Sequence, residues 1–110
     1  MSAPAPRGEE CAPGEGTFRD GAVVRELTIC NRKGLHARAS AKFVQTVERF
    51  DADVRVMRCG ETVGGTSIMG LMMLAASPGT TITVEAVGKE AAAVIDALTI
   101  LVNSRFGEDD

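Results

Sequence analysis

The chain has 110 residues, 45% of them apolar, with fifteen acidic against twelve basic side chains for a formal net charge of −3. That length fits one domain with one modest core, and the acidic balance argues against a protein that wraps nucleic acid through its overall field. No apolar run reaches the roughly 18 residues of a membrane helix; the longest, AAAVIDALTILV, is interrupted by Asp96. Neither nucleic-acid binding nor membrane insertion is therefore expected. The N-terminus lacks a basic flank followed by an apolar core, so a cytoplasmic location is expected.

Residues 1–21, MSAPAPRGEECAPGEGTFRDG, are rich in Pro, Gly, Ala and charge, with Phe18 the only large apolar residue. Such a segment has little to bury and is expected to be a disordered N-terminal tail. Cys11, Cys30 and Cys59 form an odd set with no CxxC pair and no adjacent histidine, so they read as reduced thiols and no metal site is expected. In VVRELTICN, Val23, Leu27 and Ile29 share one face with Arg25 interrupting it, and Glu26, Thr28 and Cys30 share the other, which predicts a strand.

From Ala37 to Phe50 the apolar residues Phe43, Val44, Val47 and Phe50 recur at helical spacing, opposite Lys42, Gln45, Glu48 and Arg49. Alternation in DADVRVMR followed by CGETVGG predicts a hairpin over Asp53 to Gly64 around Cys59-Gly60. SIMGLMMLAA is a short apolar helix ended by Ser77-Pro78-Gly79. TTITVEAV then places Ile82, Val84 and Ala86 inward, and Ala91, Val94, Ile95, Leu98, Leu101 and Val102 stripe a long helix that Gly107 terminates. The order βαββαβα gives an α+β sandwich with helices on one face of a sheet. The domain is expected over 22–107, with a C-terminal tail at 108–110.

The single histidine, His36, lies in GLHARAS, where a strand gives way to a helix. An imidazole nitrogen is nucleophilic near neutral pH, and helix-opening N–H groups favour an arriving anion. Arg38, two residues on, can fork onto a tetrahedral oxyanion. Such a site suits a phosphoryl group carried on nitrogen, although a lone histidine at a helix start can equally be a local backbone partner. A Ser-His-Asp arrangement lacks any motif for its other members. GETVGGTS, 60–67, approximates a phosphate-binding loop but has Thr66 where the lysine must stand, so nucleotide binding there is not expected. Ser67 reads as the N-cap of the short helix. The apolar residues that follow it are too many to bury on one side: Leu71 and Leu74 suit the core, whereas Ile68, Met69 and Met72 can form an exposed, adaptable patch.

NRKGLHARAS resembles the active-site segment, with pattern GLHARPA, of HPr, the histidine-containing phosphocarrier family of the bacterial phosphoenolpyruvate-dependent phosphotransferase system. TSIMGLMMLA is similar to the family's second signature, and the element order covers about Val23 to Phe106. The resemblance implies an open-faced β-sandwich, a four-stranded antiparallel sheet covered on one face by three helices, acting as a monomeric, stoichiometric carrier without turnover or cofactor. It implies that His36 takes a phosphoryl group on Nδ1 from phospho-enzyme I and passes it to enzyme IIA domains, with Arg38 neutralising the phosphate. It also matches Ser67 to the serine modified by HPr kinase/phosphorylase, and Ile68, Met69 and Met72 to partner-contacting positions. The chain departs from the pattern at Ala39, where the family usually has proline; alanine keeps the helix but loosens its start. Two rival readings are a regulatory interaction module that uses the same surface, and an acylphosphatase-like enzyme, for which no substrate motif is visible.

Overall fold

The computed structural model describes residues 18–74 and 76–108; the expected disordered tail lies outside the described residues as far as residue 17. The strands β1 (Val23–Thr28), β2 (Asp53–Arg58), β3 (Glu61–Gly64) and β4 (Thr81–Val87) form one sheet in the order β1-β4-β2-β3, with every neighbouring pair antiparallel. Helices α1 (Ala37–Glu48), α2 (Ile68–Met73) and α3 (Ala91–Asn103) follow in the expected βαββαβα order. This is the open-faced α+β sandwich.

Period-two alternation decides what each strand buries. Leu27, Val54, Val56, Ile82, Val84 and Ala86 are buried with Phe43, Val47, Val94, Ile95 and Leu98 of the helices in one core. Arg25, which breaks the apolar face of β1, is accommodated at its margin: the guanidinium donates to Asp96 Oδ1 at 3.1 Å and Thr99 Oγ1 at 2.9 Å on α3. The β2–β3 hairpin turns at Cys59-Gly60, both with positive φ (55° and 83°), as a tight two-residue hairpin turn requires. Cys59 is disulfide-bonded, which departs from the expectation of reduced thiols. An exposed thiol at a hairpin tip is open to that chemistry. Cys30 is free.

On the uncovered face of the sheet, Glu85 of β4 is fully buried. Arg55 Nε donates to it at 2.8 Å, and Arg19 donates both its backbone N–H, at 2.6 Å, and its guanidinium, at 3.1 Å. The Arg19 guanidinium also pairs with Asp53. Thus Arg19, placed in the N-terminal tail by sequence, is held on the sheet. Burial alone would push the Glu85 carboxyl up, but the hydrogen bonds from Arg55 and Arg19 outweigh it and hold it down at about 2, from an ordinary 4.5. The folded state therefore favours the carboxylate, so the stabilisation is fully present above the ordinary carboxylate range and is lost as pH falls toward 2. With both arginines partly solvated, the contribution is on the order of 2 kcal/mol. Thermal melts of wild type and Glu85→Gln between pH 5 and pH 2 are expected to show a steeper acid loss in wild type; parallel curves would mean that Glu85 titrates alike folded and unfolded.

Candidate functional site: a histidine at the mouth of α1

The loop between β1 and α1 is shaped by Gly34 and Leu35. Gly34 has φ +66°, and a Cβ there would lie 2.3 Å from the Ala76 carbonyl oxygen. Only glycine meets both conditions. Leu35 is buried and donates its N–H to that same carbonyl at 2.9 Å. The chain then emerges with His36 as the N-cap of α1 in extended conformation, and its carbonyl accepts from Ser40 N–H at 2.8 Å.

The ring of His36 is held at both nitrogens. Nδ1 accepts the backbone N–H of Arg38 at 3.2 Å, and Nε2 lies 2.5 Å from Glu108 Oε2. Because Nδ1 is an acceptor it carries the lone pair, which assigns the proton to Nε2, donated to the carboxylate. Glu108 Oε1 accepts from the Nδ2 of buried Asn31 at 3.0 Å, and the same Nδ2 donates to the Gly34 carbonyl at 2.8 Å. Burial alone would push the Glu108 carboxyl up; the hydrogen bonds from Asn31 and His36, with the positive charge of Lys33, hold it below its ordinary range. It is a carboxylate at neutral pH.

Glu108 reaches the ring because the chain reverses after α3. Arg105 and Phe106 adopt positive φ (58° and 56°), followed by Gly107 at 72°. Two consecutive left-handed non-glycine residues are costly and persist only when the surroundings over-determine them. Here Phe106 is fully buried and its carbonyl accepts from Lys42 Nζ of α1 at 2.5 Å.

His36 and Arg38 are thus brought together at the helix mouth. The Arg38 side chain is exposed, and among the described residues no acceptor engages its guanidinium. The first turn of α1 contains no acidic residue, so a dianion on Nδ1 would face the helix-opening N–H groups and Arg38, with the Glu108 carboxylate at the opposite nitrogen of the ring. Ser67 is the N-cap of α2, its Oγ accepting from Gly70 N–H at 2.9 Å. Leu71 and Leu74 are buried as expected, while Ile68, Met69 and Met72 stand exposed. Met73, at 71% exposure, extends that patch beyond the three residues picked out from sequence. Sequence reasoning also missed Asn31 and Glu108. Asn31 lies within the motif itself, whereas nothing in the acidic terminus distinguishes Glu108.

The fold and the helix-mouth histidine define a small α+β domain that presents one imidazole at the N-terminus of a helix. Residues 23–104 match the family described as "PTS HPr component phosphorylation site". The phosphocarrier protein HPr of Cupriavidus necator is 48% identical over 86 residues, covering 78% of this chain and 97% of that protein. The phosphocarrier protein NPr of Shewanella violacea is 39% identical over 84 residues, covering 76% and 92%. A crystal structure of HPr from Thermoanaerobacter tengcongensis superposes with a TM-score of 0.76 at 38% identity, covering 80% of this chain and 99% of that one. The chain belongs to the HPr phosphocarrier family. A carrier role in the phosphotransferase system goes with that membership, and the family is not one of catalytic enzymes. Among the described residues no helix is long and apolar enough to cross a membrane.

Proposed function

We propose that the protein accepts a phosphoryl group on His36 Nδ1 from phospho-enzyme I in the cytoplasm and passes it to enzyme IIA domains. The observation that carries this reading is the division of labour on the ring. Nδ1 has its lone pair at the N-terminus of α1, and Nε2 is occupied by Glu108. In the transfer the Nδ1 lone pair attacks phosphorus as the donor's P–N bond breaks. The Nε2 proton stays in place, and the Glu108 carboxylate offsets the positive charge that develops on the ring. Arg38 and the first-turn N–H groups take the phosphate oxygens. Incubation with phosphoenolpyruvate and enzyme I, followed by intact-mass measurement, tests the proposal: a gain of one phosphoryl group per chain is expected, and no gain would refute it.

Glu108 acts as a positioning residue in this scheme. Glu108→Ala is expected to slow phosphoryl transfer on the order of tenfold, a fraction of what a fully buried orienting carboxylate contributes in enzymes with a Ser-His-Asp triad. Glu108→Gln can still accept the Nε2 proton without the charge. Rates for Gln near wild type would assign the effect to orientation, and rates near Ala to charge; an unaffected Ala variant would exclude both.

Ser67 supports a second layer, control of docking through the α2 patch, with HPr kinase/phosphorylase as the modifying partner. As N-cap, its side chain already faces the N–H groups of α2, so added negative charge suits the helix end. The neighbours Ile68, Met69 and Met72 are exposed, and a charge beside them must be desolvated when a partner covers the patch. Ser67→Asp is expected to keep or raise Tm while weakening the apparent affinity of enzyme I severalfold. Equal affinities would remove α2 from the docking surface.

A further inference from the structure

The inward-facing alternation of β1 continues past the end of the strand as Leu27, Ile29 and Asn31, all buried, with exposed Thr28, Cys30 and Arg32 between and beyond them. Its third member is an amide where the pattern calls for an apolar side chain. The backbone before it is still fixed: Ile29 donates its N–H to the Thr80 carbonyl at 2.8 Å and accepts from Gly79 N–H at 2.7 Å. A buried amide costs free energy unless its polar atoms are partnered, and only half of this one is. Nδ2 donates to the Gly34 carbonyl at 2.8 Å and to Glu108 Oε1 at 3.0 Å, whereas Oδ1 is buried with no hydrogen-bond partner among the described residues. Both partners of the nitrogen are acceptors, so the amide cannot be turned over without setting oxygen against oxygen. Its placement is therefore decided by what Nδ2 holds.

What Nδ2 holds is His36, from two sides. The Gly34 carbonyl that takes one Nδ2 hydrogen also accepts the His36 backbone N–H at 2.9 Å. Glu108, whose Oε1 takes the other, meets the ring at Nε2 through Oε2. We infer that Asn31 is a positioning residue for transfer at His36: it fixes the Glu108 carboxylate on Nε2 and thereby keeps the Nδ1 lone pair at the N-terminus of α1. The inference rests on the reading of His36 as the phosphoryl acceptor. A glutamate bonded to the ring alone can still turn about its side-chain torsions; with both oxygens engaged it cannot turn without breaking a bond. Its side chain is only 11% exposed, so little water is at hand to replace a lost partner. Burial pushes the Glu108 carboxyl up, and the Asn31 hydrogen bond is the foremost influence against it. The amide thus keeps the carboxylate charged as well as aimed.

Asn31→Leu, similar in size and without donors, tests the inference beside wild type, Glu108→Ala and the double variant. Each is treated with phosphoenolpyruvate and enzyme I and followed by intact mass over time, and the ring Nε2–H signal is recorded by NMR of 15N-labelled protein. The chain has one histidine, so that signal is unambiguous. Asn31→Leu is expected to slow transfer by about threefold to tenfold, and the double variant to be no slower than Glu108→Ala, because the two residues act in series. The Nε2–H signal is expected in wild type and lost to solvent exchange in both single variants. A purely structural amide would instead lower the rate of the double variant by the full Asn31→Leu factor and leave the ring signal in place, and either result would overturn the inference, as would absence of the signal from wild type. Asn31→Ser guards against loss of folding: its single O–H can serve one acceptor only, and the same two changes are expected in smaller measure. Wild-type rate and ring signal in both Asn31 variants would show the amide to be a bystander. A wild type that takes no phosphate refutes the carrier reading and this role with it, whereas a phosphorylated wild type with an additive double variant refutes the role of Asn31 alone.

Discussion

His36→Asn is expected to abolish phosphorylation by phospho-enzyme I while leaving the fold in place. The two properties separate because the ring caps the helix and, in the proposed function, also carries the phosphoryl group. As N-cap, its Nδ1 accepts the Arg38 N–H, and an asparagine Oδ1 can occupy much the same position, asparagine being among the best N-cap residues. As carrier, the ring supplies a nucleophilic nitrogen, which an amide does not. His36→Ala removes both and is expected to lose about 1 kcal/mol of stability as well. The measurement is intact mass after treatment with phosphoenolpyruvate and enzyme I, with acid-labile, base-stable phosphate as the signature. Any phosphate of that kind on the Asn variant would place the carrier site elsewhere, although the chain has no second imidazole to receive it.

Arg38→Ala is expected to slow phosphoryl exchange by one to three orders of magnitude, the range lost when one charge-stabilising donor is withdrawn from a transition state. The resting fold makes no use of the guanidinium, which is exposed and engaged by no described residue. Stability is therefore expected to move by less than about 0.5 kcal/mol. The backbone N–H of Arg38 survives the substitution, so ring orientation is unchanged and the loss reports charge alone. Arg38→Lys is expected to recover only part of the rate, since an ammonium cannot grip two phosphate oxygens in one plane. Exchange at the wild-type rate in Arg38→Ala, with a matched acceptor, would show the guanidinium to be a bystander.

What could be read from sequence and what could not divides along distance in the chain. The strands, both long helices and the hairpin follow from spacing, because Val54/Val56 and Ile82/Val84/Ala86 alternate and Val94, Ile95 and Leu98 recur at helical intervals. His36, Arg38 and Ser67 were legible because each sits where a local pattern changes, at a helix start. Glu108 and Arg19 were not. Their partners, His36 and Glu85, lie 72 and 66 residues away, and a charged residue in a polar terminal stretch looks the same whether solvated or docked. Glu85 itself stands on the polar side of its strand, where a solvated carboxylate is the ordinary expectation; two arginines from distant segments make it a buried one. Met73 was passed over because a six-residue helix leaves its solvent-facing sector poorly defined by periodicity.

The backbone of the histidine loop and that of the α2 exit touch directly, through Gly34 against the Ala76 carbonyl and Leu35 N–H bonded to it. No side chain mediates this contact, so substitution along either segment leaves the seam intact, except at Gly34. Length is another matter. One residue added or removed between Met73 and Pro78 would displace the carbonyl on which the loop rests and carry His36 out of line with α1, even though every residue of the phosphoryl site remained unchanged. The two motifs are thus free to drift in composition but bound in spacing, and indels in the α2–β4 connection are where variants of this chain should be rarest.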